Sequence, residues 1–269
     1  MLYCLNMKKN IFLVAIIIFL GVLVYTILIF NNSKSVKPTV MIKKNAAQFF
    51  GRLDGLPVAS SSLIVPPVVA VMIDNHPDAR PQFGLSEASV VYEAPVEGDF
   101  TRLMAVFSRD QVIAKVGPVR SARGYYLDWQ AEYGVPLYLH CGGSSEALSR
   151  IKQENIFAAN EFYWGKYYWR DNNFTVPHNL FTNSENWQKL WQDYDKLGER
   201  VWSGCSFGSD IPTSTNATSF VVDYGAGYKV EWRFDASLSK YVRYLSGVKQ
   251  FGANGGEILE DNIIVQYVR

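Results

Sequence analysis

The segment that most limits what this chain can become is a mostly apolar run, Ile11–Phe30, which carries no charged residue. About twenty helical residues, at about 1.5 Å rise each, reach roughly 30 Å, the thickness of a bilayer core. A buried helix of a water-soluble domain rarely goes this far without a polar residue. A cleaved signal peptide has a shorter apolar core and a small-x-small cleavage site, and none follows Phe30 directly. No cysteine follows the run to accept a lipid, and Cys4 lies before it. The expectation is an uncleaved transmembrane anchor over residues 11–30, behind a short segment 1–10. Lys8 and Lys9 precede the run, whereas Lys34, Lys37, Lys43 and Lys44 follow it. That tally does not favour export of what comes after.

Residues 31–67 are polar and end in the Ser60-Ser61-Ser62 and Pro66-Pro67 clusters, which suits a linker. Beyond it, Val68–Ile73 is a β-branched apolar run expected as a buried strand that ends in the turn Asp74-Asn75-His76-Pro77. Ser89–Glu93, Phe100–Phe107 and Leu137–His140 read as further strands. Helices are expected from Ser121 to Tyr133, from Ser144 or Ser145 to about Lys152, and from Asn183 or Ser184 onward, each with a side chain suited to capping. After about Gly208 the pattern changes to short, turn-separated strands: Ser219–Asp223, Lys229–Phe234, Lys240–Tyr244 and Ile263–Tyr267. The expected fold class is therefore a mixed α/β first domain (68–207) and a smaller β-rich second domain (208–269), behind an N-terminal transmembrane helix.

Charge excludes one class of function. Lys and Arg number 26 against 25 Asp and Glu, so the basic surplus of a nucleic-acid binder is missing. Of three cysteines, only Cys141 and Cys205 could pair in the part beyond the run, and the sequence leaves that pairing open. No CxxC or Cys/His cluster has metal-ligand spacing, so no metal and no cofactor are expected.

Gly117-Pro118-Val119-Arg120-Ser121-Ala122-Arg123 is the densest candidate site. A helix start there would offer backbone N–H groups and partial positive charge beside two arginines and a hydroxyl, suited to carboxylate or phosphate. The bland alternative is a capped helix whose arginines pair with Glu93 or Glu97. Asp74 and Asn75 end a strand, where α/β proteins line their ligand crevices. Asp74, Glu93, Glu97 and the distant His178 could serve as acid and base, although Asp and Asn favour turns anyway. His140-Cys141-Gly142-Gly143-Ser144-Ser145 places a thiol and hydroxyls on a Gly-rich turn, but neighbouring strand residues point to opposite faces, so His140 cannot serve Cys141. The aromatic stretch from Phe162 to Trp169 suits either stacking on a ligand or core packing.

Taken together, Ile73-Asp74-Asn75, Ala79-Arg80-Pro81-Gln82 with Gly84-Leu85, Tyr92-Glu93 with Glu97-Gly98, and Thr101-Arg102 resemble the YerB-like family of bacterial lipoproteins. The 117–123 segment, Gly142-Gly143-Ser144, Arg170-Asp171 and Pro177-His178-Asn179 complete the likeness. The resemblance implies an extracytoplasmic domain tethered to the cell membrane at its N-terminus, with no established reaction. The tether here differs, being an apolar run rather than a lipid-accepting cysteine, and the chain stops at Arg269, before the further strands expected of the family.

The expected function is a cell-envelope binding or scaffolding module. Asn75, Arg80, Arg102, Arg120, Ser121, Arg123, Ser144 and Asn179 would hold an anionic glycan or peptide, or a protein partner. The alternative is a hydrolase of an envelope polymer acting through the carboxylates and His178.

Overall fold

A computed structural model of the chain describes residues 49–194, 202–207 and 218–267. The expected anchor over 11–30, residues 31–48 of the expected linker and the expected boundary at 208 lie outside the described residues.

After a small ladder of β1 (Phe49–Phe50) and β2 (Pro57–Val58), the chain enters β3 (Val68–Asp74), whose seven residues are all buried. A β-branched run with no polar face can be satisfied only as a central strand covered on both sides. β3 pairs antiparallel with β5 (Thr101–Ser108) and parallel with β6 (Leu137–His140). β4 (Val90–Pro95) and β7 (Ala158–Asn160) form the edges, giving the order β4-β5-β3-β6-β7. Alternation then sorts the side chains. Val69, Val71 and Ile73 enter one core, and Val68, Ala70 and Met72 enter the other.

The Met72 face is covered by α1 (Gly124–Ala131) and α2 (Ser145–Gln153), through Tyr126, Leu127 and Ala147. Ser144 caps α2, its Oγ accepting from the Ala147 N–H at 3.1 Å. The Ile73 face receives Trp187 and Leu190 of α4 (Ser184–Asp193), which is capped by Asn183. It also receives Tyr228, Val230 and Trp232 of a second sheet. A short α3 (Glu161–Trp164) follows β7, and the hairpin of β8 (Trp169–Arg170) and β9 (Leu180–Phe181) precedes α4.

The second sheet is an antiparallel meander of β10 (Ser219–Asp223), β11 (Lys229–Asp235), β12 (Lys240–Leu245) and β13 (Val248–Lys249), with β14 (Leu259–Glu260) also on β12. The two sheets share one hydrophobic core.

The expected fold class needs correction. Among the described residues the structure is β-rich with few helices, none of the α-helices exceeds ten residues, and no helix is long and apolar enough to cross a membrane. The clearest local cause lies at 116–122, where the helix expected from Ser121 has not begun. This stretch is extended and laced into the sheet, with bridges Ile73 to Val119 and Ala122 to Gly143. Its amides at Arg120 and Ala122 bond to Met72 and Gly142 carbonyls at 2.9 and 3.0 Å. Those long-range bonds outbid the local capping signal, and α1 starts at Gly124 with Arg123 as its N-cap residue. Ile263–Tyr267, expected as a strand, has no strand pairing. Both cysteines at 141 and 205 are unpaired.

Candidate functional site

Two polar clusters arise where β3 ends, and each takes in some of the expected site residues. The first is a clasp between the two sheets. Glu93 takes a bidentate ion pair from Arg243 of β12, at 2.7 and 3.0 Å, and a hydrogen bond from Thr101 Oγ1 at 2.6 Å. Asn75, 1% exposed, donates from Nδ2 to Thr101 Oγ1 and to Tyr228 Oη, both at 2.7 Å. Its Oδ1 accepts from Arg80 Nε at 3.1 Å and Gln82 Nε2 at 2.7 Å. Arg80 also lies over the Tyr228 ring, 5.7 Å from its centroid. Glu93, Asn75 and Arg80 are thus consumed in joining the sheets, and their hydrogen-bond capacity faces inward.

The second cluster is built on Asp74, the last residue of β3, which is 4% exposed. One of its oxygens, Oδ2, meets His178 Nδ1 at 2.7 Å and Arg120 Nε at 2.9 Å. The arginine contact is a charge pair rather than an aligned hydrogen bond. Oδ1 accepts from the His76 N–H at 3.1 Å. Burial alone would raise the Asp74 carboxyl, but the His178 hydrogen bond, the His76 amide and the Arg120 charge together hold it below its ordinary value.

His178 is placed by the β8–β9 hairpin. Its own N–H bonds to Thr175 O at 2.7 Å, and Asp171 N–H bonds to Asn179 O at 2.9 Å. The hairpin is pinned by Lys115, whose Nζ sits 2.6 Å from Asp171 Oδ2 and about 4 Å from the Phe83 and Phe181 ring centroids. The His76 ring stacks on His178 with centroids 4.5 Å apart.

From Arg120 the polar surface continues through Cys141, whose N–H bonds to Arg120 O at 3.0 Å. Cys141 Sγ donates to Glu161 Oε2 at 3.5 Å, and Arg170 joins Glu161 at 3.5 Å and Asn179 Oδ1 at 2.9 Å. Asn179 adjoins His178, so the chain of contacts closes into a ring. Phe162, 69% exposed, lies beside it: a Cβ at Gly142 would stand 3.3 Å from the Phe162 ring and 3.8 Å from Ser121 Oγ. The aromatic run therefore divides, with Phe162 and Tyr163 exposed and Tyr167 and Tyr168 buried.

The remaining expected residues have other duties. Glu97 is an exposed partner of Arg123 at 2.6 Å, and that hydrogen bond draws its carboxyl down to about 2. Ser144 is a cap. Glu93 and Glu97 do not face Asp74 as an acid–base pair. The helix start offers no open anion cradle, since a Cβ at Gly124 would stand 2.4 Å from Glu146 Oε1, so a carboxylate of the chain already rests there. Burial, with Glu161 beside it, pushes the Cys141 thiol up, the reverse of an activated nucleophile. Burial also pushes His140 down to about 4, so it is neutral and bonded through Nδ1 to Gly142 O.

Arg102 is 8% exposed and has no carboxylate within ion-pair distance among the described residues. Its Nη1 donates to Ser121 O at 2.9 Å, while Nε is unpaired. Burial, then the Arg123 charge, push its guanidinium below the usual range. On the same face, Tyr138 Oη is also buried without a partner, whereas Tyr126 Oη donates to Arg102 O and accepts from Ala94 N–H at 3.2 Å. Tyr126→Phe is expected to cost about 1–2 kcal/mol in urea denaturation. Tyr138→Phe is expected to be neutral or stabilising by up to about 1 kcal/mol, since it removes a buried polar atom that bonds to nothing.

Residues 53–199, more than half of the chain, match the model of the family described as "Protein of unknown function (DUF3048) N-terminal domain". The chain belongs to this family. The DUF3048 match contains every residue of the ring, while Tyr228 and Arg243 of the clasp lie beyond it. A relative from Bacillus subtilis (strain 168), named "Putative lipoprotein YerB", is 33% identical over 185 residues, spanning 67% of this chain and 55% of that protein. This chain thus covers little more than half of the YerB sequence. The crystal structure of Bacillus subtilis YerB matches with a TM-score of 0.70 at 29% identity, over 79% of this chain and 72% of that one.

Several participants carry no signal in the sequence: His76 reads as a turn residue, Arg243 lies in a strand with no motif, and Tyr228, Glu161 and Lys115 match no pattern. Only the fold brings His76 to His178 and Arg243 to Glu93.

Proposed function

We propose that this DUF3048 protein is a membrane-associated, extracytoplasmic module of the cell envelope that binds an anionic group, carboxylate or phosphate, at Arg120 and His178. The likeness to a protein named as a lipoprotein supports the location. The observation that carries the binding role is the single Asp74 oxygen shared by His178 Nδ1 and Arg120 Nε. It fixes both side chains in place, and the terminal nitrogens of Arg120 take no partner among the described residues. A pre-fixed guanidinium loses less freedom on binding than a mobile one. Phe162 offers a ring face for the apolar side of a glycan or peptide.

Thermal shift and calorimetry on the full-length protein, with peptidoglycan fragments, teichoic-acid-like polyanions and inorganic phosphate, test this reading. A ligand of the folded state raises Tm by mass action. Arg120→Ala is expected to weaken binding about 10- to 100-fold, the worth of a charge-assisted hydrogen bond. Affinity unchanged by Arg120→Ala, or no shift with any of these anions, would refute it.

One observation favours a second reading, hydrolysis of an envelope polymer. With Nδ1 directed at Asp74, His178 keeps Nε2 as a base, the arrangement a water-activating histidine needs. Release of soluble fragments from purified cell wall by wild type, absent with His178→Asn, would favour it over simple binding.

A further inference from the structure

We infer that His76, Asp78 and His178 form a binding site for a divalent transition-metal ion of the zinc class. Each of the three offers a ligand atom, and these atoms lie within 4.8 Å of one another. Two imidazoles and one carboxylate make a donor set that zinc takes with a coordination position left open.

The independent support is the state of His178. Its Nδ1 is held at 2.7 Å by the buried Asp74 carboxylate, which leaves Nε2 as the ligand atom. Metal-bound histidines commonly carry such a carboxylate on their other nitrogen, where it fixes the tautomer and strengthens the donor. His178 is also the buried member of the trio, while the side chains of His76 and Asp78 are 33% and 63% exposed. The site thus has one rigid ligand and two adjustable ones.

Adjustment is needed. The His76 and His178 rings are stacked 12° from parallel, so their in-plane lone pairs run side by side. Zinc–ligand bonds of about 2.0–2.2 Å require the three donors to draw closer than they now stand. His76 is half-buried between the Phe100 and His178 rings, and its bond from Asp78 N–H is long, at 3.2 Å, which leaves it room to turn. Asp78 lies in the same short turn, Pro77–Ala79, that His76 caps, so the two approach the metal together. This inference does not rest on the anion reading: it uses His76 and Asp78, which that reading does not, and needs no anionic ligand.

The test uses full-length protein in mild detergent, stripped with chelator and held in phosphate-free buffer. Zinc is titrated by calorimetry, and Co²⁺ is added as a spectroscopic probe. One zinc per chain is expected, with a raised Tm and visible Co²⁺ absorption bands. His76→Ala and Asp78→Ala are each expected to lower zinc affinity at least about tenfold, and Asp74→Asn about 10- to 100-fold. Because the Asp78 side chain is exposed, Asp78→Ala should match wild type in metal-free Tm, which separates lost ligation from lost folding. Failure of wild-type protein to bind zinc tighter than about 1 mM, or unchanged affinity in both the His76 and Asp78 variants, would overturn the proposal.

Discussion

Arg243→Met is expected to destabilise the protein by about 3–5 kcal/mol, measured by urea denaturation. The substitution removes one half of an ion pair in which the Arg243 and Glu93 side chains are only 8% and 10% exposed. The cost comes less from lost attraction than from the carboxylate left behind, which must stay buried without its counter-charge. Glu93 would retain Thr101 and Asn75, neither of which carries charge. Replacing both partners, Glu93→Leu with Arg243→Met, is expected to recover a large part of the loss, because two apolar side chains of similar size leave no orphaned charge. A double variant no more stable than Arg243→Met would show that the pair does more than cancel its own burial. The clasp also joins the second sheet to the first, so unfolding of Arg243→Met followed by Trp232 and by Trp187 fluorescence should show whether the two sheets still melt together.

Asp74→Asn is expected to be the most damaging change at the site itself. The carboxylate serves His178, Arg120 and the His76 amide at once, and an amide of the same shape carries no charge for Arg120 and is a weaker acceptor for His178. A loss of about 2–4 kcal/mol in stability at pH 7 is expected, together with at least tenfold weaker anion binding. The pH dependence supplies a signature. Because Asp74 has a lowered pKa when folded, it contributes stability that is complete above its unfolded value of about 4 and is lost as pH falls through the folded value. The gap in unfolding free energy between wild type and Asp74→Asn should therefore stay constant from about pH 5 upward and shrink in acid. A gap that instead widened in acid would mean that the carboxyl is not held ionised by its partners.

The sequence discloses segments better than it discloses meetings. Val68–Ile73 and Leu137–His140 are legible as strands because a short β-branched run has few other uses, and Ser144 and Asn183 are legible as caps because their neighbours turn helical. Ser121 misleads for the opposite reason: the same capping chemistry is overridden by backbone bonds to Met72 and Gly142, set by residues far along the chain. Asp74 and His178 both stand out as candidates, yet nothing in their separation says that they touch. Glu93 stands out for its charge, and only the fold reveals that Arg243, 150 residues on, has claimed it. Helix content is overestimated where extended backbone is fixed by long-range pairing, a term that local propensity does not contain.

The pairing of Asp74 with a histidine 104 residues downstream has a consequence for when the site exists during folding. Contacts between distant parts of a chain form late, because a long loop must be closed before they repay its entropy. A chain emerging N-terminus first would carry Asp74, His76 and Arg120 well before the hairpin that delivers His178. Until that hairpin docks, the carboxylate has no imidazole to orient. Unfinished copies are thus blank at this position, and the joined Asp74, His178 and Arg120 mark a chain whose first sheet and hairpin have already come together.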